Sequence, residues 1–444
     1  MRKRIRNVLI ILLGSVAAGA LLLALAYCLP VESARAHVEE SLYEMLEVAE
    51  DPDGNELRKK IIGFKDNFTD CLMVQNALER VEEKNPWEHA MYAYHYDLGN
   101  ESTWMTEKSL AAFLRQGSDG MYLREYSRYW HGYLVYLKPL LICMSWRNVE
   151  TLLLVFQVLL LLAVLVLSCC RKNPYLGLGI VCTFLFMKPL GIWFSLTLSD
   201  CWTIALAAVL VMLLFYDRLE KRSWHEELFL LTGILTAYVD FLTYPVVTLG
   251  VPLCAWLVLR PENCGGWRRQ LSGTFWNCAC WGVGYVGMWG FKWVLAELTC
   301  RTGTLRNAVW AVIFRTEPLD GYGSAFTGIS RTFRAVLNQY DSAVYGVGFG
   351  IIAAMALVSV VLCLVRARSA GWAASVVCLA FAALLPFGWL AVTQNHTAIH
   401  CDYTFRIAGV TVMALCCITV CSVQALIRKA KVCRDFSKPV KYTE

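Results

Sequence analysis

The chain has 444 residues, of which 57% are hydrophobic and 17% charged, and its formal net charge is +6. Soluble domains hold roughly 45–50% apolar and about 25% charged residues, so this composition excludes an ordinary soluble enzyme and points to an integral membrane protein. The basic residues sit in short clusters between apolar runs, with no nucleic-acid-binding stripe, and many of the 19 cysteines lie inside those runs, where Cys acts as a small hydrophobe.

The chain opens with MRKRIR and an apolar run from Val8 to Pro30. The run is too long for a signal-peptide core and lacks a small-x-small cleavage site, so it predicts an uncleaved first span with the N-terminus inside. Residues 30–148 follow as a large extracytoplasmic loop carrying 20 acidic residues against 13 Lys and Arg. Residues 39–57 read as an acidic helical surface piece. KDNFTD leads into an amphipathic helix marked by Leu72, Val74, Leu78 and Val81, and the GSDG of residues 117–120 is a turn. The apolar stretch 133–144 is too short to span and reads as an interfacial helix or the wet end of the next span.

Nine further apolar segments are predicted near residues 150–170, 174–194, 201–216, 228–242, 245–259, 274–295, 343–365, 373–393 and 403–427. With the first they make an all-α polytopic bundle of about ten spans. The organisation is a first span (1–29), the extracytoplasmic loop (30–148), a nine-span bundle (149–427) with an outside loop at 299–342, and a basic cytoplasmic tail (428–444). Arg171 and Lys172; Arg218, Lys221 and Arg222; Arg260, Arg268 and Arg269; Arg366 and Arg368; and the tail all fall on inside ends, the positive-inside signature. No P-loop, GxGxxG or zinc-protease helix occurs, which argues against an ATP-driven pump and a dinucleotide enzyme. Cys71, Cys300 and Cys401 fall in outside segments, where a pair among them is open.

Charges at membrane depth cost at least about 2.5–3.5 kcal/mol, so they face a cavity or a partner. Lys188, Asp200, Asp240, Lys292 and Glu297 are such charges, all in the outer half of the predicted bundle. Lys292 reads as a snorkelling side chain, whereas Asp240 is too short to reach the headgroups. Pro189 and Pro245 are positions where a helix can break and open backbone groups to a cavity. His396 and His400 have HxxxH spacing that could bind a metal, but no Glu lies between them and no third ligand is evident, so metal is the lesser reading there. Arg128 and His131 sit in an aromatic run that is either a substrate contact or a membrane-interface anchor.

An outside-facing recess lined by carboxylates, cations and aromatics suits a lipid-linked anionic substrate. A carboxylate can take the proton from an attacking hydroxyl, and cations stabilise a departing phosphate. The layout of first span, large acidic loop and bundle, with the stretches DNFTD, RYWHGYLVYLKPLL, VDFLTYPVVTLGVPL and NHTAIHCDYTFR, resembles the GT-C superfamily of polyprenyl-phosphate-sugar-dependent glycosyltransferases. It also resembles uncharacterised bacterial polytopic membrane proteins tied to that class. The resemblance implies transfer of a sugar at the outer face of a bacterial plasma membrane, with inversion and a catalytic acid in the first loop. Glu32, Asp66 and Asp70 are the matching positions, and Asp66 and Asp70 are preferred. No DD, DE or DxD pair follows the first span, so the choice of base stays open. The expected catalytic residues are Asp66, Asp70 and Asp240. The expected substrate contacts are Arg128, His131, Lys138, Lys188, His396, His400 and Arg406. No cofactor is expected, a divalent metal being left open, and the partners are membrane lipid and lipid-linked sugar. Two other classes share these features: a transporter or lipid flippase without covalent chemistry, and a non-catalytic membrane assembly protein.

Overall fold

The computed structural model describes residues 2–47, 61, 63–99, 106–260, 266–317 and 325–436. Part of the predicted acidic helix (48–57), part of the outside loop expected at 299–342 (318–324) and the end of the basic tail (437–444) lie outside them. Among the described residues the protein is all-helical apart from one two-stranded antiparallel ladder. Six helical stretches among them are long and apolar enough to cross a membrane: Arg4–Ala26, Trp146–Cys170, Leu196–Arg222, Ala343–Arg366, Ala370–Val392 and Cys401–Lys431. The expected segments at 174–194 and 245–259 contain shorter apolar helices, Pro174–Phe186 and Val246–Leu259.

Helix α1 (Arg2–Ala26) leads to α2 (Glu32–Glu47). The insertion then continues with α3 (Asn67–Leu78), α4 (Pro86–Tyr92), β1 (Tyr94–Asp97), α5 (Thr106–Gln116) and β2 (Tyr122–Glu125). Asn85 and Glu88 form a reciprocal capping box that starts α4, with Pro86 at its first position, where a missing N–H costs nothing. The strands pair antiparallel with Tyr94 opposite Glu125, and Arg124 Nε meets Asp97 Oδ2 at 2.8 Å. The turn expected at 117–120 is present, with Gly117 and Gly120 both at positive φ.

The stretch expected to lie at the interface is α6 (Leu134–Cys143), a separate helix. It is buried through Leu134, Leu137 and Leu141 rather than spread on a surface. The bundle follows as α7 (Trp146–Cys170), α8 (Pro174–Phe186), α9 (Pro189–Phe194), α10 (Leu196–Arg222), α11 (His225–Val239), α12 (Val246–Leu259) and α13 (Gly266–Cys300). Helices α14 (Thr304–Thr316) and α15 (Ala325–Asn338) precede α16 (Ala343–Arg366) and α17 (Ala370–Val392). The short α18 (Gln394–Ile399) and α19 (Cys401–Thr404) and a 3-10 turn (Phe405–Ala408) then lead into α20 (Gly409–Phe436).

Helices α11 and α13 cross with their backbones in contact. A Cβ on Gly233 would lie 2.2 Å from Trp281 O, and one on Gly284 would lie 2.3 Å from Leu230 O. Small residues allow this approach, from which membrane helices gain dispersion energy that lipid cannot replace. At the end of α11 away from Asp240, Arg4 pairs with Glu226 at 3.1 Å, and Arg260 and Arg269 approach Glu220. Arg260 and Arg269 therefore gather near the N-terminal helix at this end of α11, and the insertion meets the other end, where Gly132 N donates to Tyr238 O at 2.8 Å. Cys71, Cys300 and Cys401 are all free thiols.

Candidate functional site

The site forms where the insertion meets two broken helices. The first break separates α8 from α9. Lys188 adopts a left-handed conformation (φ 56°) and Pro189 starts the next helix, as the sequence anticipated for that proline. The second separates α11 from α12, where Asp240 closes a turn by accepting hydrogen bonds from Leu242 N at 2.9 Å, Thr243 N at 3.1 Å and Thr243 Oγ1.

Asp66 caps the N-terminus of α3. Its carboxylate accepts from Thr69 N at 3.1 Å and from Thr69 Oγ1 at 2.8 Å, while its own N–H donates to Ser195 Oγ at 2.6 Å. Burial raises its pKa, the two Thr69 bonds and Arg406 oppose that rise, and Asp402 adds to it. Asp70, one turn along, does something different. Its two oxygens accept from Leu196 N and Thr197 N, each at 3.1 Å, so it caps the start of α10 as an acid on a helix N-terminus. Burial, with Asp66 adding, pushes Asp70 up to about 8 while the Thr197 N–H opposes.

Beside Asp66 lies Arg406, fully buried. Its Nη1 donates to Asp402 O at 3.0 Å, and its guanidinium lies 4.7 Å from the Phe405 ring centre. Its Nε and Nη2 have no hydrogen-bond partner. A Cβ on Gly191 would lie 2.6 Å from both Arg406 Nη2 and Phe64 O, so only glycine admits the guanidinium and the insertion backbone there together. Lys188 is within electrostatic reach of Arg406, and its Nζ lies over Phe405 at 5.2 Å and Tyr345 at 5.7 Å. Two cations thus lie together against the Phe405 and Tyr345 rings, with the Asp66 and Asp402 carboxylates both in electrostatic range of Arg406. Three of the predicted site residues, Asp66, Lys188 and Arg406, come together here although they are spread over 340 positions of the chain.

A second wall holds His396 and His400, their rings 4.8 Å apart, with Tyr403 stacked on His400 at 5.1 Å. His396 Nε2 bonds Leu242 O at 2.8 Å, so the Asp240 turn positions this histidine. Burial lowers the pKa of His396 to about 3 and of His400 to about 4, which keeps both neutral near pH 7. Tyr403 joins the walls, being within electrostatic range of Asp66, Tyr126, Tyr129 and Asp240. Arg315 donates to Tyr129 Oη at 2.7 Å. Among the described residues no group of three or more His, Cys, Asp and Glu is arranged to hold a metal.

The remaining predicted contacts go elsewhere. His131 Nε2 bonds Tyr126 O at 2.9 Å within an aromatic cluster around Phe241. Arg128 bonds Asn307 and lies over Tyr126. Lys138, an expected substrate contact, instead donates to Ala77 O at 2.6 Å and lies 4.8 Å from the Tyr27 ring centre, capping the C-terminal end of α3. Lys292 does not snorkel. It is fully buried, and its Nζ donates to Ala90 O at 2.6 Å and Met91 O at 3.1 Å near the end of α4.

Sequence reasoning missed Arg315, Tyr340, Tyr345 and Tyr403, which supply the walls. The signal available was the density of Arg and aromatics in the loops after α13. A scan against protein-family models gives no match, and neither the curated proteins nor the solved structures give one.

Proposed function

We propose that the protein is a glycosyltransferase of the GT-C kind, which moves a sugar from a polyprenyl-phosphate donor to an acceptor hydroxyl at the outer face of a bacterial plasma membrane. The carrying observation is Arg406, a buried guanidinium with two unpartnered nitrogens, next to Lys188 and within reach of Asp66. A buried guanidinium with N–H groups left unpartnered is costly, and a phosphate oxygen is the acceptor that fits guanidinium geometry.

In this reading Lys188 and Arg406 hold the donor phosphate, and the aromatic walls face the sugar. Asp66 takes the proton from the acceptor hydroxyl. The acceptor oxygen bonds the anomeric carbon as the bond from that carbon to the phosphate oxygen breaks, which inverts the centre. The two cations then stabilise the charge on the departing phosphate. Asp70 and Asp240 serve as positioning residues, one fixing the start of α10 and the other aiming His396. Ten crossings with both termini cytoplasmic fit the gathering of Arg260 and Arg269 near the N-terminal helix at the end of α11 away from the insertion. The broken helices at Lys188 and Asp240 also suit a flippase, in which discontinuous helices flank the substrate. A flippase would bind the carrier without consuming the sugar.

The test is a deletion strain complemented with wild type, Asp66→Asn or Arg406→Met, its lipid-linked sugars read by mass spectrometry. Both variants should leave an undischarged polyprenyl-phosphate sugar. Full discharge by both, at normal levels of inserted protein, would overturn the reading.

A further inference from the structure

A cavity of about 250 Å³ lies between α6, α7, α10 and α11. Its polar centre is made by Asp200 and Gln157, which are 8% and 2% exposed. Asp200 Oδ1 accepts from Tyr136 Oη at 2.9 Å, but Asp200 Oδ2 and both amide atoms of Gln157 have no hydrogen-bond partner. Gln157 lies eleven residues into α7, about 16 Å along its axis, so this polar pair sits well inside a membrane-spanning helix. Three unpartnered polar atoms at that depth cost several kcal/mol unless something bonds them.

The rest of the lining says what that occupant is. Phe156 and Leu235, at the rim, are 52% and 50% exposed on apolar helices, so the cavity opens sideways toward lipid. No Lys or Arg lines it, and a phosphate would meet the Asp200 carboxylate with no counter-charge. A neutral hydroxyl would donate to Asp200 Oδ2 and accept from Gln157 Nε2, which would partner two of the three atoms. The volume holds roughly eight water-sized groups, enough for a head and the first carbons, with the chain leaving between the rim residues. We propose that this is a lateral binding site for an uncharged lipid whose head is a hydroxyl, separate from the Lys188–Arg406 recess and independent of the transfer chemistry.

The test uses full-length protein in phosphatidylcholine nanodiscs and three photoreactive probes with one diazirine-bearing long chain, headed by a hydroxyl, a methyl ether or a phosphate. The hydroxyl probe should label the α7 and α10 peptides around Gln157 and Thr203 at least tenfold more than either other probe. Labelling should fall about tenfold in Gln157→Leu and in Leu235→Trp, the latter filling the cavity from an already exposed position. Tm and elution volume report whether each variant folds, and the probe comparison on wild type needs neither variant. Equal labelling by all three probes, or labelling that survives in a folded Leu235→Trp, would mean water or adventitious lipid and would overturn the site.

Discussion

Two sets of buried charges contrast in this protein. In the first, Asp70 and Lys292 clamp the insertion to the bundle and Lys138 ties two parts of the insertion together, and each ends on backbone groups at a helix terminus. Asp70 takes the N–H groups of Leu196 and Thr197, Lys138 the carbonyl of Ala77, and Lys292 those of Ala90 and Met91. The signs follow the helix dipole, with the acid at an N-terminus and the lysines near C-termini. In the second set, Lys188 and Arg406 are just as deep, yet Lys188 has only ring contacts and two Arg406 nitrogens have no partner. Burial does not separate the two sets. Hydrogen-bond accounting does.

The largest effect should come from the carboxylate beside the unpartnered cations. Asp66→Asn should lower sugar transfer by about 10²–10⁴, as expected for loss of a general base, with inserted protein unchanged. Reconstituted transfer measured alongside membrane yield checks this, and equal loss of both would place Asp66 with the structural set. Next comes Arg406→Met, which should weaken polyprenyl-phosphate binding by about 1.5–3 kcal/mol, read by native mass spectrometry. Because it also removes a buried charge lacking full partners, its Tm should hold or rise. A Tm that falls with affinity would dissolve the contrast.

Lys292→Met should do the opposite. It strands the carbonyls of Ala90 and Met91 and should cost about 1–3 kcal/mol of stability, seen as a lower Tm, with carrier binding retained by the folded fraction. The smallest effect concerns the clamp around Lys138. Burial raises Glu79 to about 7 with Lys138 opposing, and His89 stands 3.6 Å away with its own pKa lowered by burial. A raised acid favours the folded state when protonated, so the Glu79 contribution is complete below about pH 4.5 and disappears as pH rises through 7. The His89 contribution runs the other way, present above about pH 6.5 and lost as pH falls. Glu79→Gln should therefore raise stability above pH 7 relative to wild type, on the order of 1 kcal/mol net, and flatten its decline between pH 5 and 7. Thermal melts of both proteins across that range measure it, and parallel curves would remove Glu79 from the balance.

Much of the local structure was readable because its causes are local. Asp66 caps α3 through a residue three positions away, and Asn85 and Glu88 start α4 with Pro86 between them. The helix break at Pro189 follows from proline's own geometry. The β1–β2 ladder was not readable: its partners are separated by α5, and neither four-residue strand carries a long alternating pattern.

By itself the sequence determined the membrane class, the long apolar helices, the breaks at Pro189 and Pro245, and a stock of deep charges at the insertion end. Only the tertiary structure decided which of those charges are satisfied. Asp70 and Thr197 lie 127 positions apart, and Lys292 and Ala90 lie 202 apart. The physical reason is that a buried charge is defined by the groups the fold brings to it. Nothing in the residue or its neighbours along the chain distinguishes Lys138, which finds a carbonyl, from Lys188, which finds only aromatic faces.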